Sequence, residues 1–215
     1  MMKGSEVFDA HSERYECWFA QYPAAYRSEL RAMKSLLKRP GLGLEIGVGT
    51  GQFAAPLNVP FGIDPAPNML RYAMERGTNV VCAVGESLPF GGGVFDSVTL
   101  VTTLGFVGDP GAVLAEAHRV LKPEGVVVIG FIDRSSALGQ QYQGRKHDSI
   151  FYRQARFFCA DDIEGLLTAA GFGEHAWVQT LTKPLAEITE VEAERPGHGD
   201  GVFVAVRAER SIHGG

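Results

Sequence analysis

The sequence has 215 residues, of which 45% are hydrophobic and 21% are charged, and its formal net charge is −5. This length favours one domain, and the composition is that of an ordinary globular protein. The acidic balance argues against nucleic acid as a partner, since proteins that bind a phosphate backbone usually present a basic face. No stretch approaches the ~18 apolar residues that span a bilayer, and no apolar leader follows Met1, so we expect neither a membrane protein nor an exported one.

Three cysteines, Cys17, Cys82 and Cys159, lie far apart and form no C-x-x-C pair. Their odd number and wide spacing predict neither a disulfide framework nor a metal site. The expected location is a reducing compartment, the cytoplasm.

The first part of the chain is predicted to be helical. Over residues 9–38 the apolar positions follow helical spacing, for example at Tyr26, Leu30 and Met33, with a break near Pro23.

Strands and helices alternate after this segment. Short apolar runs predict seven strands, at about 43–46, 61–64, 79–84, 97–101, 126–132, 176–181 and 202–206. The fifth run shows no alternation of apolar and polar residues, which is typical of a parallel strand buried on both faces. The alternation predicts a doubly wound α/β sheet, and ligands of such sheets bind outside the carboxyl ends of the strands.

A glycine-rich turn follows the first strand, with Gly47, Gly49 and Gly51 at every second position. Glycine adopts positive φ and lets a ligand lie against the backbone, so this turn predicts a nucleotide-type pocket. A dinucleotide fingerprint would carry its third glycine at position 52, which is Gln52. Asp64 ends the second strand, where a carboxylate can accept both hydroxyls of a ribose, in this type of pocket or in a dinucleotide pocket.

Several segments, in order, resemble the class I S-adenosylmethionine-dependent methyltransferases. Glu45 stands two residues before the first glycine of G-x-G-x-G, as in motif I of that family. Residues 86–90 (E-S-L-P-F), 95–98 (F-D-S-V) and 121–125 (L-K-P-E-G) resemble the family's E-x-L-P-F, F-D-x-V and L-K-P-G-G segments. The resemblance is close over 42–132, and it points to the small-molecule type, similar to methyltransferase domain 11.

This resemblance implies a fold and a domain plan. The fold is a Rossmann-like, doubly wound, mostly parallel seven-stranded sheet with helices on both faces and strand order 3-2-1-4-5-7-6. An N-terminal helical cap (1–40) precedes the S-adenosylmethionine-binding domain (41–215), which carries an insertion at about 133–160. An insertion of this length is typical of a lid or a substrate-binding segment.

The resemblance also implies S-adenosylmethionine as the cofactor, with S-adenosylhomocysteine as product. The glycines would form the floor under the methionine part, Glu45 would hold its amino-acid end, and Asp64 would hold the ribose. The full set of implied cofactor contacts is Tyr15, Glu45, Gly47, Gly49, Gly51, Asp64, Pro65, Met69, Gly85, Glu86 and Thr102.

Plainer structural interpretations stay open for several of these positions. Met69 also fits a helix core, Thr102 fits strand-end packing, and Tyr15 fits a hydrophobic contact between helix and sheet. Glu45 can bond nearby backbone amides, and Asp64 can cap the following helix.

The sequence departs from the family at two places. Val84 stands where an aspartate commonly bonds the adenine amino group, and Gly105 and Phe106 replace two histidines. Backbone groups of Gly85 and Glu86 would still meet the adenine edge.

The acceptor is expected to lie against the N-terminal helix and the insertion. The candidate substrate-binding residues there are Tyr142, Arg145, Tyr152 and Arg153, and the same segments hold Tyr22 and Tyr26, which with Tyr142 and Tyr152 would form an aromatic wall. No catalytic residue is evident; His147 and Tyr15 are the candidates for a base, although an exposed loop histidine and a solvated basic helix face are the plainer interpretations.

The preferred function is transfer of a methyl group to a small-molecule acceptor by in-line displacement. Such a reaction depends mainly on alignment of the reactants, so the absence of an evident base is no objection. The alternatives are a non-catalytic regulator that binds S-adenosylmethionine or S-adenosylhomocysteine, and an NAD(P)-dependent oxidoreductase. We expect a small-molecule partner, no nucleic acid, no membrane, no metal, and a monomer or homodimer.

Overall fold

The computed structural model describes residues 5–37 and 41–211. Its helices are α1 Ser5–Ala10, α2 Ser12–Gln21, α3 Pro23–Leu36, α4 Ala54–Leu57, α5 Pro67–Glu75, α6 Pro110–Val120, α7 Ala137–Gly144 and α8 Ala160–Ala169. Its strands are β1 Gly43–Ile46, β2 Phe61–Asp64, β3 Asn79–Cys82, β4 Phe95–Val101, β5 Leu121–Ile132, β6 Phe172–Thr180, β7 Arg195–Pro196 and β8 Phe203–Arg210.

The strands form one sheet in the order β3-β2-β1-β4-β5-β8-β6-β7. Strands β1 to β5 are parallel, and β8 runs antiparallel to both β5 and β6. The predicted doubly wound α/β fold and the order of its seven strands are confirmed. The predicted count was one short, because β7 is a two-residue strand beside Val178 and Gln179 at the sheet edge. A strand this short shows no periodicity in the sequence.

The chain direction across the sheet reverses between β1 and β4, which are neighbours in space. From β1 the chain moves outward to β2 and β3, and it then returns to β4 on the other side. The loops that follow β1 and β4 therefore leave the sheet in opposite directions and open a crevice between them.

Strand β5 begins earlier than predicted and contains a bulge. Leu121 pairs with Phe95, and Val126 pairs with Ser97, so residues 122–125 have no partners opposite them. The L-K-P-E-G segment (121–125) thus lies inside the strand, as an irregularity before the predicted start at 126.

Two apolar layers enclose the sheet. Helices α6 and α8 cover one face, where Leu114 and Ile163 are fully buried against Val127. Helix α3 and its neighbours cover the other face, where Met33 belongs to the same cluster as Val128. Adjacent residues of β5 therefore serve opposite layers, which is why that strand shows no polar alternation.

Helix α1 lies at the start of α5, and helix α2 contacts the residue that ends it. The backbone N–H of Asn68 donates to Asp9 of α1 at 2.8 Å, and Glu16 of α2 forms an ion pair with Arg76. The predicted helical segment is divided at His11 as well as near Pro23. The predicted domain boundary falls on residues 38–40, which lie outside the described residues.

Within residues 5–37 and 41–211, no helix combines the length and the apolar character that crossing a membrane requires. The same ranges contain no group of three or more His, Cys, Asp or Glu side chains arranged to hold a metal ion.

The contact between β2 and the glycine turn leads to a prediction. A Cβ atom placed on Gly62 would lie 2.6 Å from Cβ of Val48. We expect Gly62→Ala to lower the free energy of unfolding by ~1–3 kcal/mol, because the turn has to shift to accept a methyl group. Urea denaturation measures this effect. Gly165→Ala is the matched control, since no atom lies within 4 Å of its Cβ position, and equal loss in both variants would contradict the close approach.

Candidate functional site

The glycine turn after β1 places three residues at positive φ: Gly47 at 71°, Gly49 at 52° and Gly51 at 79°. A Cβ atom on Gly47 would lie 2.4 Å from Cγ2 of Thr103, so this glycine permits a close approach to the loop after β4. Gly49 differs, because the nearest atoms to its Cβ position are Cε of Met69 at 3.4 Å and Cε1 of Tyr15 at 3.9 Å. Gly49 therefore faces a space that these two side chains flank.

Asp64 at the end of β2 ties this turn to the sheet. One carboxylate oxygen accepts from the Gly49 N–H at 3.0 Å, and the other accepts from the Ala66 N–H at 2.9 Å. Burial raises the pKa of Asp64 to about 6, against the opposing effect of these two bonds. The carboxylate does not cap α5, whose N-cap residue is Ala66. Each oxygen keeps a lone pair for a further donor.

Glu45 is 2% exposed, next to the glycine turn. Its Oε2 is buried and has no hydrogen-bond partner among the described residues. Burial raises the pKa of Glu45 well above its usual range, and the charge of Asp64 raises it further. An unpaired buried carboxylate is costly, so a cationic ligand group beside Glu45 would relieve this cost. The alternative of bonds to nearby backbone amides is not seen at Oε2.

Tyr15 of α2 lies among aromatic rings beside the turn. Its ring centroid is 5.7 Å from that of Phe8 and 5.9 Å from that of Phe151. Burial raises the pKa of Tyr15 well above its usual range, followed by the effect of Tyr152. The hydroxyl keeps its proton, which suits a hydrogen-bond donor better than a base.

The residues predicted to surround the adenine differ in their burial and in their contacts. Met69 is 2% exposed and approaches Gly49, so it is both helix core and pocket wall. Gly85 has no room for a side chain, since a Cβ atom there would lie 2.9 Å from Cγ2 of Ile46. Pro65 is partly buried, and its carbonyl accepts from Sγ of Cys82 at 3.8 Å.

The Glu86 side chain has a structural partner. Its Oε1 accepts from the N–H of Gly108 at 2.8 Å and from that of Asp109 at 3.3 Å. Oε1 therefore holds the chain just before α6, whereas Oε2 is buried and has no hydrogen-bond partner among the described residues.

Thr102 follows β4 in a left-handed conformation, with φ at 52°, and its N–H donates to the carbonyl of Gly130 at 2.7 Å. A non-glycine residue in this region carries strain, which often occurs at functional sites. Thr102 lines a cavity of about 30 Å³ together with Phe131, Tyr152 and Phe157.

The insertion is partly helical and lies against the loop after β4. It contains α7 and two short 3-10 turns, Lys146–Asp148 and Tyr152–Gln154. The N–H of Arg156 donates to the carbonyl of Gly105 at 2.8 Å, and a Cβ atom on Gly105 would lie 2.5 Å from the Arg156 carbonyl oxygen. Gly105, which stands where the family carries a histidine, therefore allows the insertion to pack against the loop after β4.

Aromatic rings close the region between α1 and the insertion. The Phe106 ring is 5.0 Å from that of Phe8 and 6.0 Å from that of Tyr152. Phe8 also stacks on Phe151 at 5.1 Å. The insertion therefore joins the N-terminal helices over the crevice.

The predicted acceptor residues divide into two groups. Tyr142 and Tyr152 are partly buried. Arg145, His147 and Arg153 are exposed, and Arg145 pairs with Asp148 at 3.5 Å. Tyr142 packs against the apolar cluster that contains Met33 of α3, whereas the basic side chains belong to the outer surface of the insertion.

Glu29 is a buried carboxylate that the sequence analysis missed. It is 6% exposed on α3. A signal for it exists, because Glu29 stands three residues after Tyr26 and four before Met33, on the apolar stripe of the helix. A charged residue on such a stripe indicates a special environment.

Comparisons with known proteins decide the family. A protein-family model described as a methyltransferase domain matches residues 44–129. A crystal structure from Thermotoga maritima, described as a SAM-dependent methyltransferase and possible histamine N-methyltransferase, superposes with a TM-score of 0.93 at 41% identity, covering 96% of this chain and 99% of that one. The chain belongs to the class I S-adenosylmethionine-dependent methyltransferases.

Two further relatives cover nearly the whole methyltransferase. An uncharacterized protein of Methanocaldococcus jannaschii is 41% identical over 204 residues, which is 95% of this chain and 98% of that protein. An uncharacterized protein of Mycobacterium tuberculosis is 37% identical over 221 residues, covering 99% of this chain and 76% of its own length. Family membership counts against the oxidoreductase alternative.

S-adenosylmethionine is the cofactor of this methyltransferase. The site fits that molecule in three respects. Gly49 presents open backbone, the buried Glu45 oxygen lacks a partner among the described residues, and Asp64 has lone pairs free for hydroxyl donors.

The contact at Gly105 leads to a second prediction. We expect Gly105→Ala to displace the insertion, because the new methyl group would overlap the Arg156 carbonyl. Amide hydrogen exchange over residues 137–158 should become faster than in the wild type. Gly91→Ala is the matched control, since its nearest neighbour would be Cγ2 of Val94 at 3.8 Å. Unchanged exchange in the Gly105 variant would show that the insertion is held elsewhere.

Proposed function

We propose that this methyltransferase transfers a methyl group from S-adenosylmethionine to a small-molecule acceptor by in-line displacement. The observation that carries the proposal is that Asp64 accepts from the Gly49 N–H while Glu45, just before the same glycine turn, keeps a buried oxygen without a partner among the described residues. The helices of the proposed cap (1–40) and the insertion (133–160) cover this site in the proposed cofactor-binding domain (41–215).

We propose the following roles for the cofactor-binding residues. Asp64 accepts hydrogen bonds from the ribose hydroxyls, Glu45 pairs with the amino group of the methionine part, and Tyr15 donates to its carboxylate. The glycine turn forms the floor, with Gly47, Gly49 and Gly51 allowing close approach. Pro65, Met69 and the backbone of Gly85 and Glu86 surround the adenine, and Thr102 lies near the sulfur.

Bound there, S-adenosylmethionine supplies a methyl group on a positively charged sulfur. The protein has to align the acceptor with that group and to exclude water, and alignment alone can contribute ~7–11 kcal/mol to lowering the barrier. The aromatic rings between α1 and the insertion serve to exclude water. The exposed His147 is poorly placed to act as a base, and a base is needed only where the acceptor has to lose a proton.

A small acceptor is favoured because the insertion packs directly on the loop after β4 and leaves a cavity of only about 30 Å³ beside Thr102. The insertion has to move to admit even a small molecule. The description of the Thermotoga maritima relative as a possible histamine N-methyltransferase makes amines one class to be tested first.

Transfer of labelled methyl from S-adenosylmethionine to a panel of amines, phenols, thiols and carboxylic acids tests the proposal. We expect transfer to at least one class, with formation of S-adenosylhomocysteine. Binding of S-adenosylhomocysteine without transfer to any acceptor would instead favour the non-catalytic regulator, for which the replaced family residues at 84, 105 and 106 leave room.

The role of Asp64 leads to a prediction about cofactor affinity. Asp64→Asn removes the charge of the carboxylate and so weakens its hydrogen bonds to both ribose hydroxyls. The variant should bind S-adenosylhomocysteine roughly 10- to 100-fold more weakly, as measured by calorimetry. Asp161→Asn, at an exposed aspartate of α8, is the control.

The same residue predicts a pH dependence. The pKa of Asp64 is about 6, and only the ionised carboxylate accepts both bonds, so wild-type affinity should fall as the pH drops through this value. The difference between wild type and Asp64→Asn should shrink over the same interval. Equal affinity of the two proteins at neutral pH would show that the ribose lies elsewhere.

A further inference from the structure

Glu29 is a buried acid to which the proposed cofactor site assigns no role. It makes no hydrogen bond or ion pair with any residue in the described ranges, although it is only 6% exposed. Burial raises the pKa of Glu29 to about 8. Its oxygens are not among the fully buried side-chain atoms without a partner, so they reach open space where another molecule can bond them.

The position of Glu29 along α3 places it between the cofactor turn and the sheet. One turn before it, the Tyr26 hydroxyl donates to the carbonyl of Gln52 at 2.5 Å, directly after the glycine turn. One turn after it, Sδ of Met33 lies 2.8 Å from the position of a Cβ on Gly130 in β5. Glu29 therefore lies near the carboxyl ends of the strands, on the side where the insertion covers the crevice.

Four tyrosines from separate parts of the chain lie within electrostatic range of Glu29. Burial raises the pKa of each hydroxyl, and the charge of Glu29 raises it further in every case; the four are Tyr15, Tyr26, Tyr142 and Tyr152. They come from α2, α3, α7 and the second 3-10 turn of the insertion. Three of them, Tyr15, Tyr26 and Tyr142, also pack against the same apolar cluster as the buried α3 residues on either side of Glu29, which are Ala25, Ala32 and Met33.

We propose that Glu29 binds the acceptor and that the acceptor is a small molecule with a protonated nitrogen, held by this carboxylate among the tyrosines. The proposal rests on the proposed methyltransferase function and names its substrate class. It concerns recognition of the positive charge, whichever atom of the acceptor receives the methyl group.

The chemistry of the surroundings favours a cation over an anion or a neutral group. Aromatic faces and a carboxylate together attract an ammonium group, and the attraction is larger where water is excluded. The basic side chains of the insertion are not placed to bind an anionic acceptor here, because Arg145 and Arg153 are exposed. A bound cation would restore the ionised form of Glu29 and relieve the cost of its burial.

The test uses protein saturated with S-adenosylhomocysteine, so that no methyl transfer occurs. Calorimetry measures the binding of ethylamines with phenyl, imidazolyl and alkyl substituents, each beside the alcohol of the same skeleton. At least one amine should bind more tightly than its alcohol. Glu29→Gln should weaken that amine ~10- to 100-fold and should leave the alcohol and S-adenosylhomocysteine unaffected. The control is Glu13→Gln, at an exposed glutamate of α2.

A pH series gives a second readout. Because the pKa of Glu29 is about 8, the acid has to lose its proton to pair with the amine, so wild-type affinity should rise with pH towards that value. This rise should be absent in Glu29→Gln. The tyrosines near Glu29 stay protonated up to this pH, and S-adenosylhomocysteine is bound throughout. Neither therefore accounts for the rise in amine affinity.

Several results would overturn the proposal. Equal binding of every amine and its alcohol would show that the site does not recognise charge, and equal amine affinity in wild type and Glu29→Gln would assign recognition to another group. Loss of S-adenosylhomocysteine binding in Glu29→Gln would place the residue in the cofactor site. Failure of wild-type protein to bind S-adenosylhomocysteine would instead refute the proposed function itself.

Thermal unfolding separates recognition from a structural role. The native state holds a proton on Glu29 that the unfolded chain releases above its ordinary pKa, so the wild type loses stability as the pH rises towards about 8. Glu29→Gln should therefore be at least as stable as the wild type at that pH. A marked decrease in melting temperature would identify a structural glutamate and contradict the proposal.

Discussion

The carboxylate of Asp64 is the constraint on which the arrangement of this site depends. It receives the N–H groups of Gly49 and Ala66, and so it fixes the turn after β1 relative to the end of β2. Gly62 allows Val48 to pack beneath that turn, and Gly47 allows the loop after β4 to approach it. Three loops at one edge of the sheet are thereby held in a single geometry, with the open backbone of Gly49 at its centre.

Around this fixed centre the protein places acids that its own residues do not neutralise. Glu45 has a buried oxygen with no partner, and Glu29 has no partner at all, within the described part of the chain. Both lie near tyrosines whose pKa values burial raises. Unpaired acids beside aromatic rings suit a cofactor that carries a positive sulfur and an ammonium group, and they also suit a basic acceptor, because a nearby cation favours the ionised form of each acid.

Much of this architecture could be predicted from the sequence, because short motifs fix local geometry. The turn at 47–51 and the carboxylate at the end of β2 are examples, whereas the strand order followed from the resemblance to the methyltransferase family. The two-residue strand β7, the break at His11 and the bulge within β5 could not be predicted, since they arise from pairing and packing between distant segments. Glu29 had a signal on the helical stripe, but the lack of a partner for its side chain depends on which distant segments pack around α3.

The measurement that tests this account most directly is a crystal structure of the protein with S-adenosylhomocysteine. The account predicts that the nucleoside lies over Gly49, with its ribose hydroxyls within hydrogen-bond distance of Asp64 and its amino group beside Glu45. A nucleoside bound away from the glycine turn, or an Asp64 carboxylate that contacts only backbone in the complex, would contradict it.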